Sequence, residues 1–155
     1  MADCYKYIGN TYNEMQDYEN SMQYYEKTLV IRRSVFGPHH VSVADSHCVL
    51  GHGHRLQGNL QLAMESYDHA ISIQLAIVGP NHPDVAGTLR MIGYTFYLMG
   101  DFDKALDYYE RVLLINIATS GEEHYVVGTT CRFLGDAYLA KDDYDKALHD
   151  SSLSL

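Results

Sequence analysis

Apolar and small residues return along the chain at two nested periods, one of three to four residues and one of 42. Gly9, Gly51, Gly93 and Gly135 define the long period. Ile8, Leu50, Ile92 and Leu134 precede them, and Tyr12, His54, Phe96 and Tyr138 follow three positions later. Ala63, Ala105 and Ala147 share a register with Ser21, and Tyr25, Tyr67 and Tyr109 share one with Ser151. Gly37, Gly79 and Gly121 mark the end of each unit, with His40, His82 and His124 three residues beyond. A fixed period of this length is the mark of a repeat architecture, in which each unit buries its apolar face against its neighbours.

Inside a unit the apolar positions run at i, i+3, i+7 (Leu89, Ile92, Phe96) and then at i, i+3, i+4, i+7 (Phe102, Ala105, Leu106, Tyr109). Both are helical spacings. A short turn such as Met99-Gly100-Asp101 separates them. Acids after the turn (Asp17, Glu19; Asp101, Asp103; Asp143, Asp145) suit a helix N-terminus through its dipole. The pattern predicts eight helices, at 2–15, 18–36, 43–57, 60–78, 84–99, 102–120, 126–141 and 144–155. The fold class expected is all-α: a right-handed α-α superhelix of four helix-turn-helix repeats, about 1–42, 43–84, 85–126 and 127–155, forming a single array over 1–155.

A glycine inside a helix costs about 1 kcal/mol relative to alanine. Its recurrence therefore predicts close approach of a neighbouring helix at Gly93 and its equivalents. The fourth unit stops at Leu155, about six residues before its second helix would end by the period. Leu148 and Leu155 would then lie on an apolar face where an array normally carries a polar cap. The expectation is a fragment of a longer array, with self-association through exposed array ends.

The apolar offsets, best seen in Leu89, Ile92, Gly93, Phe96, Ala105 and Tyr109, resemble the tetratricopeptide signature. The usual repeat of that family has 34 residues. The longer unit here, with linkers FGPHHVSVA and VGPNHPDVA, resembles the repeats of kinesin light chains and of the wider set of proteins with that linker type. The resemblance implies a protein-interaction module, an adaptor binding a peptide segment in a concave groove lined by the first helix of each unit. The alternative is a structural scaffold or self-associating array within a larger protein, for example a signalling ATPase. No enzymatic role is expected: there is no nucleophile elbow, phosphate-cradling glycine loop or H-E-x-x-H pattern.

Three positions before the repeat glycine the chain reads Lys6, Cys48, Arg90 and Arg132. One after it come Asn10, His52, Tyr94 and Asp136, and four after it Asn13, Arg55, Tyr97 and Leu139. These share a helical stripe. The candidate peptide-binding residues are therefore Lys6, Asn10, Asn13, His52, Arg55, Arg90, Tyr94, Tyr97, Arg132 and Asp136, a set suited to an extended, acidic peptide. In chaperone-binding relatives a clamp of Lys, Asn and Arg holds a terminal carboxylate. Lys6 and Asn10 fit its first helix, but Val49, Gly87 and Met91 stand at its other positions. The paired asparagines of kinesin light chains are replaced by Lys6-Tyr7, Cys48-Val49, Arg90-Met91 and Arg132-Phe133.

The balance of 11 Lys and Arg against 20 Asp and Glu, a net charge of −9, opposes general attraction to nucleic acid or anionic membrane. No apolar run is long enough to span a bilayer and no secretory leader opens the sequence. Cys4, Cys48 and Cys131 have neither disulfide nor zinc spacing. A reduced, cytoplasmic setting is expected, with no cofactor. Of the nine histidines, His47 and His54 fall in core registers and His52 on the groove side, so they do not converge on a metal. His40, His82 and His124 read as linker or helix-start contacts.

Overall fold

The computed structural model describes residues 1–153, with side chains through Asp145 apart from that of Asp143. Among these residues there are seven helices and no strand: α1 (Ala2–Glu14), α2 (Tyr18–Phe36), α3 (Val41–Leu56), α4 (Leu60–Val78), α5 (Pro83–Leu98), α6 (Phe102–Ser120) and α7 (Tyr125–Leu153). The first six lie within two residues of the spans that periodicity predicts. The fold class is the expected all-α tandem of helix hairpins.

The hairpins α1–α2, α3–α4 and α5–α6 turn at Gln16, Gly58 and Gly100, at φ of 61°, 79° and 80°. This left-handed conformation costs a residue with a Cβ roughly 1–2 kcal/mol and glycine almost nothing. The second helix then starts on a cap. The Asp17 carboxylate accepts from the Asn20 N–H at 3.2 Å and that of Asp101 from the Lys104 N–H at 3.2 Å. The linker histidines cap the next first helix. Nδ1 of His40 accepts from the Ser42 N–H at 3.1 Å, and His82 and His124 do the same for Asp84 and Val126 at 3.2 and 3.4 Å. That cap starts α3 at Val41 rather than at the expected residue 43.

The fourth hairpin is the correction. In place of helices at 126–141 and 144–155 with a turn between them, α7 runs unbroken from Tyr125 to Leu153. Asp142 stands in the register of Gly58 and Gly100. With an aspartate there, the continuous helix avoids the left-handed cost that glycine removes. Gln16 meets that cost in the first unit, where the complete α2 packs back on α1. The side chain of Leu148, and Leu155 altogether, lie outside the described residues.

The chain divides into two compact units, Met1–Pro80 with α1–α4 and Asn81–Leu155 with α5–α7. In the first, Met22, Tyr25 and Leu50 form a buried cluster flanked by Leu29 and Val49. In the second, Ala105, Leu106, Tyr109 and Ala137 are buried together, with Tyr94, Phe96, Tyr97, Phe133 and Leu134 packed against them. The repeat glycines explain the spacing of both. A Cβ on Gly9 would stand 2.6 Å from the Tyr25 ring, on Gly51 2.5 Å from that of Tyr67, and on Gly93 2.9 Å from that of Tyr109. Each glycine thus makes room for the tyrosine of its own hairpin. The close approach expected at Gly93 is present.

Candidate functional site

In the first unit the most constrained polar group is one the sequence pattern did not single out. Arg32 of α2 is only 7% exposed. Its Nη1 donates to the Ser42 carbonyl at 2.9 Å, to Asp45 at 2.8 Å and to the Ser46 hydroxyl at 3.0 Å, while Nη2 donates to Asp3 at 2.8 Å. Lys6 Nζ donates to the same Asp45 oxygen at 3.0 Å. Asp3 and Asp45 occupy one register, 42 residues apart. The planar guanidinium therefore ties the first helix of one repeat to the first helix of the next, a fork geometry lysine lacks. Burial works against the charge of Asp45, but Arg32 and Lys6 outweigh it and hold its carboxyl below the usual range. Asp3 is lowered by its hydrogen bond to Arg32.

Three of the remaining first-unit candidates, Asn10, His52 and Arg55, are also engaged within the unit. Asn10 accepts from the Tyr25 hydroxyl at 3.0 Å. Asn13 is half-buried. Arg55 and His52 lie 3.0 Å apart on one helix. His52, His47 and His54 do not share a site: the His47 ring lies tilted at 5.1 Å from that of His69, and His54 feels the charges of Glu26 and Glu65. Among the described residues no group of three or more His, Cys, Asp or Glu is placed to hold a metal ion.

Burial lowers the pKa of His47, His52 and His54, aided at His47 by His69 and Arg33, at His52 by Arg55, and opposed at His54 by the two glutamates. A histidine whose folded value lies below its unfolded one takes up protons first in the unfolded chain. Stability is full above the unfolded value near 6.5 and is lost as pH falls toward the folded values. The melting temperature should therefore drop between about pH 7 and 5, and His47→Gln with His52→Gln should flatten that drop. A pH-independent melting temperature over this range would contradict the assignment.

The second unit repeats the same places with different chemistry. Two periods on from Asp3, Lys6, Arg32, Asp45 and Ser46 stand Gly87, Arg90, Asn116, Thr129 and Thr130. Asn116 Nδ2 donates to the Thr130 hydroxyl at 3.0 Å. With the arginine and both carboxylates gone, a cleft of about 350 Å3 opens, lined by these five residues and Val112 among others. Arg90 borders it, and among the described residues no carboxylate forms an ion pair with Arg90.

Beside the cleft the stripe residues of α5 and α7 meet in one aromatic patch. Tyr94 and Tyr97 stack at 6.0 Å with planes 8° apart. Phe133 lies 6.4 Å from Tyr94 and stacks at 5.5 Å on Tyr109. The guanidinium groups of Arg90 and Arg132 stand 5.6 and 5.5 Å from the Phe133 ring centre, within cation–π range. Asp136 is exposed on α7. The structure thus brings Arg90, Tyr94, Tyr97 and Arg132 together in this unit, while Lys6 is paired internally in the other. Phe133, the ring both arginines share, was missed as a site residue. Its signal was available: it ends a register that reads Tyr7, Val49, Met91, Phe133.

The tetratricopeptide repeat family model matches residues 1–76, 50–115 and 84–150. A search of curated protein sequences gives no match. The structure is similar to that of BtubC (BKLC) from P. vanneervenii, with TM-score 0.82 and 22% identity over 96% of this chain and 59% of that one. It is also similar to a putative kinesin light chain of Podosopora anserina with nearly identical TPR-like repeats, at TM-score 0.81 and 19% identity over 95% and 70% of the two chains. The Sgt2 TPR domain of Aspergillus fumigatus matches at TM-score 0.66 and 15% identity, over 94% and 82%. At these identities the likeness is one of fold, and the chain spans 59% of the length of the BtubC structure. Among the described residues no helix is long and apolar enough to cross a membrane.

Proposed function

Because this chain belongs to the tetratricopeptide repeat family, whose role is protein interaction, we propose that its second unit takes an extended peptide of a partner protein and seats an acidic side chain of that peptide at Arg90. The observation that carries this reading is internal to the molecule. Lys6 has Asp45 as its carboxylate, whereas Arg90, in the same register, borders an open cleft with threonine and glycine at the positions of the two aspartates. A partner's Asp or Glu would supply what the repeat withholds. Tyr94, Tyr97 and Phe133 give the peptide an aromatic surface, the kind of side chain that dominates binding energy at interfaces. Asp136 selects against a second acid near its own helix.

An adaptor of kinesin-light-chain kind, acting in the cytoplasm on a protein cargo, is the setting this reading favours, on the strength of the fold likeness and the long linkers. The test is titration of a peptide library against the wild-type chain and Arg90→Glu with Arg132→Glu, at two salt concentrations. Acidic peptides should bind the wild type and weaken as salt shortens the screening length toward about 8 Å. The double reversal should weaken binding by about tenfold or more, chiefly through slower association, with helicity unchanged. Equal binding by both forms would reject the site.

A further inference from the structure

The first unit carries a second cleft that peptide recognition leaves unused. It has a volume of about 420 Å3 and is bordered by Arg33 at the end of α2, Pro38 and His39 of the linker, His47 of α3, and His69 and Ile73 of α4, among others. No aspartate or glutamate lines it, although the protein as a whole has a net charge of −9. Four cationic or potentially cationic groups from four successive segments face one space.

Packing does not call for them. His47 occupies the register of Tyr5, Leu89 and Cys131, and its equivalent Leu89 is a buried core residue. Arg33 aligns with Leu75 and Ile117, and His39 with Asn81 and Glu123. No other repeat carries a cationic residue at these three places, whereas His69 shares its register with Lys27 and Arg111. Two histidine rings held 5.1 Å apart next to an arginine disfavour one another's protonation, and a cation would face the same repulsion. An anion relieves it.

From this geometry we infer that the cleft between Arg33, His39, His47 and His69 is a binding site for a phosphoryl dianion. Donors arriving from four directions suit a tetrahedral group with three acceptor oxygens better than a planar carboxylate, and the Arg33 guanidinium offers a fork to two of those oxygens. The apolar edge, with Val43 and Ile73, leaves room for the carbon chain that carries the phosphoryl group. His47, whose charged form is disfavoured by burial and by the adjacent His69 and Arg33, takes up a proton when the dianion arrives. Binding therefore strengthens as pH falls through the histidine range.

The test follows the ring signals of His47 and His69 by NMR in the full chain while inorganic phosphate, N-acetyl-phosphoserine amide and N-acetyl-serine amide are added at pH 6. The two phosphorylated probes should produce saturable shifts and the serine compound none. Tighter binding of the phosphoserine compound points to a phosphorylated protein segment as the source, and equal binding to free phosphate. Phosphate changes its own charge near pH 6, so the pH arm uses sulfate. Its affinity should fall by about tenfold between pH 6 and 8 as His47 loses its proton. Arg33→Gln with His69→Gln, both exposed positions whose replacement leaves the core intact, should abolish the shifts at His47. Absence of saturable shifts at pH 6, equal response to the serine compound, or an unchanged response in the double variant would overturn the site.

Discussion

Gly51→Leu is expected to destabilise the protein by about 3 kcal/mol, at the upper end of the range for overpacked cores. Any Cβ at this position meets Cε1 of Tyr67 at 2.5 Å and Cδ1 at 2.7 Å. Tyr67 has no exposed surface, so its ring has no open side into which to move. Helix propensity acts the other way by about 1 kcal/mol, too little to offset the collision. Gly135 is the internal control. Among the described residues nothing lies within 4 Å of an added Cβ there, so Gly135→Ala should gain up to about 1 kcal/mol. Denaturant melts of the two variants read the contrast directly. A Gly51→Leu midpoint equal to that of the wild type would mean that the glycine does not face the tyrosine.

Arg32→Ala should cost about 2–4 kcal/mol at neutral pH. The substitution removes a side chain that is 92% shielded from solvent, since the side chain is 8% exposed, and leaves the Ser46 hydroxyl and a half-exposed Asp45 without it. Asp3 and Asp45 retain access to water, at 75% and 47% side-chain exposure, which keeps the cost below that of stranding a fully buried charge. Arg32→Lys should fall between the two, because a single ammonium does not bridge both carboxylates as the fork does. The pH dependence has a definite sign. Both aspartates have folded values below the unfolded one near 3.9, so the stabilisation is present above that value and is lost as pH falls through the folded values. The gap between wild type and Arg32→Ala should accordingly narrow toward pH 3 in denaturant melts. A gap that does not change with pH would assign the cost to packing alone.

The candidate site was legible in part. Register alone put Arg90, Tyr94, Tyr97 and Arg132 on one stripe, because i, i+4 and i+7 share a helix face whatever the neighbours are. Register was silent on which cation of that stripe already has a partner. Lys6 and Arg90 are equivalent in the repeat, yet Lys6 meets a carboxylate 39 residues away and Arg90 does not. Phe133, which joins both arginines, lies one position outside that stripe and so was not among its candidates.

Sequence by itself determined the period, the spans of the first three hairpins, the caps at Asp17, Asp101 and the linker histidines, and the small residues on which the tyrosines sit. All of these depend on interactions within a few residues or within one repeat, and the repetition states them several times over. Tertiary structure alone decided three matters: that Arg32 binds two aspartates one period apart, that the equivalent place in the second unit is an open cleft, and that α7 continues through its expected turn. The first two turn on which side chain each repeat places against the next. The third turns on whether packing of a returning helix outweighs the left-handed cost at a residue other than glycine. These are balances between distant groups, and no local pattern records their outcome.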